Sequence, residues 1–408
     1  MDSENVNSSA VLKILKDMLN DNGINHYKIN IYSSEEMAQS FTGLIVPVKV
    51  NDCDTSIEHN FIMKCAPKKE ELRDLIFMND VYEREIHIYS KLLPEFDKIQ
   101  QERNISNAFH SYPKYYTSSE KYKEEVIILE NMLASSYKHW DENKSTEIDH
   151  LFLIVRELGK LHALSYVIRK QQPKVFATVI GNMEEKFFKN FANKSMRDTT
   201  QLYVSRALDS LDPVNDKIVY EKFKRFSEDL HKIIGKAVDS KNADQYAVVN
   251  HGDCGFNNLL FKYEDFENSS KPTSACFVDW QRSIFGSPAL DLSSFLLPFA
   301  DKYVQERHYH NLINEYYASL CSMLNQFEED NETIFPFAEL QNQLKMYSVF
   351  GLFTSTMIVF LQNYKTKSVL DFAVTSNNTK KIEDLVHFHL QIRDIILYYN
   401  DLNYNFWV

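Results

Sequence analysis

Residues 251–258 of the chain read His-Gly-Asp-Cys-Gly-Phe-Asn-Asn, and residues 278–280 read Val-Asp-Trp. These motifs place Asp253 first, Asn258 five positions later, and Asp279 at the end of an apolar run. This order and spacing is typical of phosphoryl-transfer sites, in which the first Asp accepts or orients the proton of the acceptor hydroxyl. The Asn and the second Asp hold Mg²⁺ against the nucleotide phosphates. The sequence therefore predicts phosphoryl transfer, with Asp253 as the catalytic residue and Asn258 and Asp279 as metal ligands.

The composition is that of a globular protein with an acidic balance. A chain of 408 residues is too long for one ordinary core and predicts two domains or lobes. Hydrophobic residues make up 44% and charged residues 25%, which is usual for such proteins. The net charge of −12 and the lack of a long Lys/Arg run argue against nucleic acid as a partner.

Cysteine usage and the distribution of apolar residues predict a cytoplasmic protein. Five cysteines without a Cys-x-x-Cys pair argue against a disulfide framework and a Cys-rich zinc site, and they favour a reducing compartment. Residues 1–4 are acidic and polar, unlike the start of a signal peptide. The apolar segment 349–361 is interrupted by Thr-Ser-Thr and is shorter than the roughly 20 residues that span a bilayer. We therefore expect no membrane insertion; the sequence leaves the oligomeric state open.

Hydrophobic periodicity predicts a mixed N-terminal region. Residues 11–22 have helical spacing, and helical periodicity returns over residues 72–93, where we expect the helix to end near Pro94. Short β-branched and aromatic runs between polar residues predict antiparallel strands. The predicted strands lie at residues 28–31, 43–48, 60–64, 113–116 and 125–129.

Beyond about residue 150 the periodicity is mainly helical. The predicted helices lie at residues 151–169, 216–238, 293–327, 336–363 and 380–400. Two apolar runs, 259–261 and 275–278, flank a turn rich in Ser, Asn, Lys and Pro. They predict a short hairpin that brings Asn258 and Asp279 to the same place.

The order of these elements predicts an α+β, bilobal protein with a small antiparallel-sheet lobe over residues 1–132. A larger, mainly helical lobe follows over residues 133–408. Such a small lobe should supply a lysine for the α- and β-phosphates and a helical glutamate that fixes it. Lys64 ends a predicted strand, and Glu85 shares a helical face with aromatic and aliphatic side chains. We therefore predict that Lys64 and Glu85 form an ion pair in the site.

Backbone groups between the lobes should bind adenine. The strand at residues 126–129 runs into Glu130-Asn131-Met132, and we expect the Glu130 carbonyl and the Met132 amide to supply these groups. His251 precedes the catalytic Asp, and we interpret it as a residue that braces the loop by hydrogen bonds rather than a metal ligand or base.

Some of these residues also have simpler interpretations. Lys64 could be an ordinary strand-end lysine, Glu85 a solvated helix residue, and Asp291 a helix-start cap. Asp253, Asn258 and Asp279 are different, because three polar groups at this spacing beside strand ends are improbable by chance.

The chain resembles the ecdysteroid kinase-like family, also called CHK kinase-like, which is related to choline kinases and aminoglycoside phosphotransferases. The matching segments are residues 62–67, 82–94, 129–132, 158–165, 251–261, 278–281 and 286–292, in family order. The resemblance extends over about residues 20–400. It implies a protein-kinase-like fold and phosphorylation of a small-molecule hydroxyl with ATP and Mg²⁺, a steroid alcohol such as an ecdysteroid being one candidate acceptor. It also implies that Asp291 braces the catalytic loop.

Two positions depart from the family pattern. Where the family usually has a Gly in the phosphate-covering turn, residues 34–40 read Ser-Glu-Glu-Met-Ala-Gln-Ser, with no Gly before Gly43. Gly allows the backbone to approach phosphates, and two carboxylates would repel them. Either ATP binds weakly, or Ser40 offers its hydroxyl and amide instead. Gly255 stands where relatives commonly carry Trp, so we expect the loop beside Asp253 to be less filled.

The sequence leaves three functions open. The first is an ATP-dependent kinase for an apolar alcohol, which the Phe, Tyr, Leu and Met content of the C-terminal helices favours. The second is a choline- or aminoglycoside-type kinase, whose cationic acceptor would need an acidic or aromatic cage. The third is a kinase-like protein that binds nucleotide or ligand without transfer. The Gly-poor turn favours this third function, and the complete set of site residues argues against it.

Overall fold

The structure is a computed structural model that describes residues 9–31, 38–40, 43–70, 73, 77–140, 147–181, 183, 185, 188, 194–264, 271–364 and 382–408.

An antiparallel sheet forms the N-terminal lobe, as predicted. Its strands are β1 (Tyr27–Ile31), β2 (Ala38–Ser40), β3 (Gly43–Asp52), β4 (Glu58–Cys65), β5 (Tyr115–Ser119) and β6 (Val126–Glu130). Their spatial order is β1-β3-β4-β6-β5, and β2 pairs with β3. Buried and half-buried residues alternate along most of β3, so its β-branched residues face a core on one side. Helix α1 (Ser9–Asp21) covers that core with Val11, Leu15, Met18 and Leu19.

The helix that carries Glu85 continues past the predicted end at Pro94. It begins as α2 (Met78–His87), passes through a π-turn (Ile88–Leu92) and continues as α3 (Leu93–Glu102). Pro94 directly follows the π-turn, in the first turn of α3, and this local widening of the helix accommodates a residue that lacks an N–H. The prediction that the helix ends there is therefore wrong. The predicted start at residue 72 lies outside the described residues.

A mainly helical lobe follows, as predicted. Its helices are α4 (Ile148–Gln171), α5 (Pro173–Ile180), α6 (Lys194–Leu208), α7 (Lys217–Glu228), α8 (Leu230–Ala237), α9 (Ser240–Ala243), α10 (Ala289–Phe299), α11 (Lys302–Gln326), α12 (Asn331–Ile334), α13 (Phe337–Tyr347), α14 (Val349–Tyr364) and α15 (Ile382–Asp401). Helix α4 is buried at nearly every position from His150 to Ile168. A Cβ at Gly159 would lie 2.6 Å from the Tyr316 carbonyl oxygen. Glycine therefore lets α4 and α11 approach closely.

Three of the long helices predicted in this lobe are broken. The segment 216–238 forms α7 and α8, the segment 293–327 falls on α10 and α11, and the segment 336–363 falls on α13 and α14. Asp301 marks the break in the segment 293–327. It is the N-cap of α11, because its side chain accepts the Val304 amide at 2.8 Å. Hydrophobic periodicity continued through each break and did not reveal it.

Two small β-structures in this lobe hold the motif residues. Strands β7 (Lys138–His139), β9 (Leu259–Tyr263) and β10 (Pro272–Phe277) form one antiparallel sheet, in which β9 is central. Strands β8 (Val248–Asn250) and β11 (Ile284–Gly286) form the other. The chain thus leaves the small sheet soon after Glu130. Strand β6 pairs with β4 of that sheet, whereas the next strand, β7, pairs with β9 of the helical lobe.

All five cysteines are free thiols, as their odd number suggested. No single helix in the described part of the chain is long and apolar enough to cross a membrane. One bent pair, Asn331–Tyr347 with Val349–Asn363, passes that test by length and composition alone.

Candidate active site

The hairpin of β9 and β10 brings the two predicted metal ligands together. Leu259 pairs with Phe277 at the end of the hairpin, and the Val278 amide donates to the Asn258 carbonyl at 3.0 Å. Asn258 therefore precedes one strand where Asp279 follows the other. Asp279 itself has a left-handed backbone with φ 68°, which turns the chain sharply at the end of the hairpin. The predicted hairpin is confirmed.

Lys64 joins the small sheet to this hairpin. Its Nζ lies 2.5 Å from Glu85 Oε2 on α2 and contacts Asp279 Oδ1 directly. Gln281, which the sequence analysis did not identify, completes the contacts: its Oε1 lies 3.3 Å from Lys64 Nζ, and its Nε2 donates to Asp279 Oδ2 at 3.1 Å. The Lys64 and Glu85 side chains are only 4% and 1% exposed. The interpretation of Glu85 as a solvated residue is therefore wrong.

Burial and charge shape the pKa values of this group. Burial opposes the positive charge of Lys64, but the carboxylates of Asp279 and Glu85 outweigh it and raise the pKa of the ammonium. Burial raises the pKa of Glu85 to about 7, Lys64 opposes that rise, and the negative charge of Asp279 adds to it. Two carboxylates thus share one ammonium, and the more buried of them, Glu85, takes up a proton more readily than an ordinary glutamate.

Asp253 lies on the accessible side of the same site. Its side chain is 38% exposed, and its Oδ2 lies 3.8 Å from Arg282 Nε. Desolvation by the surrounding protein raises the pKa of Asp253, while Arg282 opposes this shift. The Asp253 carbonyl accepts Nδ2 of Asn258 at 2.9 Å, which ties the predicted catalytic residue to a predicted metal ligand.

Two buried side chains, Asp291 of α10 and His251 of the loop itself, hold the predicted catalytic loop at residues 251–258. Asp291 Oδ2 accepts the His251 amide at 2.7 Å, and its Oδ1 accepts the Gly252 amide at 2.8 Å. His251 Nε2 donates to the Val278 carbonyl at 3.1 Å, while its Nδ1 accepts the Asp253 amide at 3.4 Å. Asp291 therefore binds the loop, and the helix-cap interpretation is wrong.

His162 on α4 extends this network and was not singled out from the sequence. Its Nε2 lies 3.4 Å from Asp291 Oδ2, and its Nδ1 lies 2.9 Å from the Tyr316 hydroxyl. A histidine in a helical apolar segment gives no local signal of such a role, because its partners come from α10 and α11.

The space beside Gly255 is filled, contrary to expectation. A Cβ at this position would lie 2.6 Å from Asn257 Oδ1 and 3.3 Å from the Phe299 ring. The Phe299 ring also packs edge-on against Phe256, with centroids 5.1 Å apart. A side chain from α10 thus occupies the space that we expected to be empty, and local sequence could not reveal it.

The predicted adenine-binding groups lie at the end of β6. The Glu130 amide donates to the Lys114 carbonyl at 2.8 Å, and the Glu130 carboxylate accepts the Ser135 hydroxyl at 2.8 Å. The Met132 carbonyl accepts the Ser135 and Tyr137 amides, each at 3.0 Å. A tight turn therefore follows Met132. Adenine binding by the Glu130 carbonyl and the Met132 amide stays a prediction.

The predicted phosphate-covering turn precedes β2 and ends on its last residue, Ser40. Residues 34–37 lie outside the described residues, and for Ser40 only the backbone pairing of β2 with β3 is described. A phosphate-binding role for Ser40 therefore stays a prediction.

Asn258 and Asp279 offer an oxygen-donor set suited to Mg²⁺. No group of three or more His, Cys, Asp or Glu side chains in the described ranges could hold a metal ion. However, Mg²⁺ at nucleotide sites commonly takes one or two protein oxygens and completes its shell with phosphates and water. In the site, the carboxylates of Glu85, Asp279 and Asp253 face the cations Lys64 and Arg282. Asn258 and Asp279 supply one amide oxygen and one carboxylate for such a shell, which fits Mg²⁺ bound mainly by phosphates and water.

The match to a family model supports a small-molecule kinase. Residues 38–329, more than half of the chain, match the Ecdysteroid kinase-like family. The chain belongs to this family, as the sequence resemblance suggested.

Several solved structures are similar over most of this chain. The ethanolamine kinase of Plasmodium vivax is 14% identical (94% of this chain, 85% of that chain, TM-score 0.43). The choline kinase of Cryptosporidium parvum Iowa II is 14% identical (96% and 99%, TM-score 0.46). The choline kinase of Streptococcus pneumoniae is 12% identical (95% and 99%, TM-score 0.40). A search of curated proteins found no match.

Proposed function

We propose that the protein transfers the γ-phosphoryl group of ATP to a hydroxyl group of a small apolar alcohol, such as a steroid alcohol. The observation that carries this proposal is the contact of Lys64 with both Glu85 and Asp279. It brings together a lysine of the sheet, a glutamate of α2 and a candidate metal ligand of the hairpin, and this ligand, Asp279, is close enough to Asp253 for its charge to act on it. A protein that only binds nucleotide does not require all of these groups.

Each residue has a chemical role in this proposal. Lys64, held by Glu85, neutralises the α- and β-phosphates, and the backbone of Glu130 and Met132 binds adenine. Asp253 orients the acceptor hydroxyl and takes its proton as the oxygen attacks phosphorus. Its partial exposure gives an acceptor access to the carboxylate.

Asn258 and Asp279 would hold Mg²⁺, which neutralises phosphate charge when bound. The hydrogen bond from Asn258 to the Asp253 carbonyl supports this role, because it keeps the amide close to the catalytic loop. Asp291 and His251 contribute by fixing the backbone of that loop.

The half-buried Trp140 ring, at the edge of an aromatic cluster that includes Phe256 of the predicted catalytic loop, supports an apolar acceptor. Trp140 stacks on Phe256 with centroids 4.9 Å apart, and Phe256 packs against Phe295 and Phe299 at 5.7 and 5.1 Å. The three phenylalanine rings are buried and support Trp140 from below, and a partly exposed indole face of this kind buries apolar ligand surface effectively. The same face also attracts quaternary ammonium groups, so a choline-type acceptor is the second candidate.

The Asp253→Asn variant tests the reaction. We expect it to lose turnover while its calorimetric affinity for Mg²⁺-ATP stays within a few fold of the parent. The acceptor is tested by ATP consumption with a panel of steroid alcohols, glycosides and amino alcohols. Nucleotide binding without consumption for any acceptor would favour the alternative of a non-catalytic binding protein, and equal turnover by Asp253→Asn would exclude the role of Asp253.

A further inference from the structure

We propose that Arg282 is a catalytic residue that stabilises the charge of the transferring phosphoryl group. This inference rests on the proposed function, and it concerns a residue that the sequence analysis did not select. Its basis is the position of the Arg282 side chain beside the carboxylate of Asp253, three residues after the predicted metal ligand Asp279.

The backbone of Arg282 is fixed against the catalytic loop. Arg282 ends a 3₁₀ turn (Trp280–Arg282) directly after Asp279. Ser283, the next residue, donates its hydroxyl to the His251 carbonyl at 3.3 Å. The Arg282 carbonyl oxygen packs so close to Gly252 that a Cβ there would lie 2.0 Å from it. The side chain thus leaves a rigid point next to the loop.

The guanidinium lies on the side of the site where an acceptor can approach. Its Nε is 3.8 Å from Asp253 Oδ2, and the side chain is 30% exposed. The acceptor hydroxyl must reach Asp253, and the phosphorus atom must lie next to that hydroxyl during transfer. A cation beside Asp253 therefore lies near the atoms between which the phosphoryl group moves.

Among the described residues, the ion pairs of the site favour Arg282 for this task. Lys64 is buried and contacts two carboxylates, Glu85 and Asp279. Arg282 is the cation that faces Asp253 on the accessible side. The predicted phosphate-covering turn contains Glu35 and Glu36 and adds no positive charge. A planar guanidinium matches the spread of phosphoryl oxygens and keeps its charge at every working pH.

A purely structural role for Arg282 makes a different prediction. If the residue only held Asp253 or the loop in place, its loss would not discriminate between a ground-state nucleotide and a transition-state mimic. If it stabilises the phosphoryl group in transfer, its loss weakens binding of the mimic far more than binding of the nucleotide.

The test compares binding of Mg²⁺-ADP with binding of Mg²⁺-ADP plus aluminium fluoride by calorimetry. The variants are Arg282→Met, which keeps the length but not the charge, and Arg282→Lys, which keeps the charge but not the planar fork. Arg206→Met is the control, because Arg206 is a half-exposed arginine on α6 that pairs with Asp209. Thermal unfolding checks that each variant is folded, and Arg282→Lys serves if Arg282→Met is not.

We expect Arg282→Met to lose affinity for the aluminium fluoride complex by about 10² to 10³-fold and for Mg²⁺-ADP by less than about 3-fold. Arg282→Lys should recover part of the loss, and Arg206→Met should equal the parent. Equal losses for both ligands, or none, would overturn the inference. A parent that binds Mg²⁺-ADP but gains nothing from aluminium fluoride would also overturn it, while nucleotide binding stands. A parent that binds neither Mg²⁺-ADP nor Mg²⁺-ATP would instead contradict the proposed function itself.

Discussion

Lys64 and Asp279 lie 215 residues apart in the chain and form a direct ion pair. The pair connects β4 of the small sheet to the end of the β9–β10 hairpin. Glu85 binds the same ammonium from α2, so one lysine determines how three elements meet. Lys64 is almost fully buried. Water can therefore replace its ammonium beside Glu85 or Asp279 only if the three elements separate.

The Lys64→Met variant should be strongly destabilised. It leaves two carboxylates without their cation, and breaking a buried ion pair by removing one partner costs about 3–5 kcal/mol. We expect a fall of this size in the free energy of unfolding, measured by urea denaturation in EDTA. The double variant Lys64→Met/Glu85→Gln should regain part of that stability, because it removes the most buried unpaired charge. Unchanged stability in Lys64→Met would show that the pair is not formed in solution.

The Gly252→Ala variant should be destabilised by a backbone clash in the catalytic loop. Gly252 has φ +81°, and an added Cβ would lie 2.0 Å from the Arg282 carbonyl oxygen. Gly23 is a matched control, because it has φ +79° but nothing within 4 Å of the added Cβ. Gly23→Ala therefore measures the conformational cost alone, about 1–2 kcal/mol. We expect Gly252→Ala to lower the free energy of unfolding by about 1–3 kcal/mol more than Gly23→Ala does, which is the usual cost of overpacking. Equal thermal unfolding shifts for the two variants would contradict the clash.

Local sequence predicted the elements that depend on local periodicity. The strands of the small sheet and the hairpin of β9 and β10 follow β-branched runs between polar turns, and the motif residues are fixed in position by these strands. The spacing of Asp253, Asn258 and Asp279 is meaningful because a hairpin returns the chain to its starting point.

The remaining features depend on contacts between distant elements. Gln281 and Arg282 follow the motif in a short turn without periodicity, and their roles appear only when Lys64 and Asp253 approach them. The same holds for Phe299, which fills the space beside Gly255 from another helix. Pro94 was misinterpreted because a proline in the first turn of a continuing helix has the same sequence signal as a helix end.

The Gly255→Trp variant tests whether Phe299 occupies the space of the larger residue found in relatives. Introducing Trp beside the Phe299 ring should overpack this region, at a cost of about 1–3 kcal/mol. The double variant Gly255→Trp/Phe299→Ala frees the space and should be less destabilised than the sum of the single variants. Gly255→Ala is the control, since its nearest clash is with the exposed side chain of Asn257, which can move. Strict additivity of the single variants in urea denaturation would disprove the exchange of volume.

The stability of the parent protein should fall between about pH 4.5 and pH 7 because of Glu85. Burial raises the pKa of Glu85 from 4.5 to about 7 in the folded protein, so the folded state binds this proton more tightly than the unfolded state. The stabilising effect is complete below the unfolded pKa and is lost as pH rises through about 7. The size of the shift corresponds to about 3 kcal/mol. Glu85→Gln cannot titrate and keeps Asp279 as the partner of Lys64.

The measurement is the difference in unfolding free energy between the parent and Glu85→Gln, taken across this pH range in EDTA. Groups that titrate equally in both proteins cancel in the difference. We expect the parent to lose stability relative to the variant from about pH 4.5 to pH 7 and the difference to level off above that. Glu83→Gln, on the same helix but exposed, controls for the removal of any carboxylate from α2. A difference that stays constant with pH would mean that Lys64 keeps Glu85 ionised throughout, and that burial does not raise its pKa.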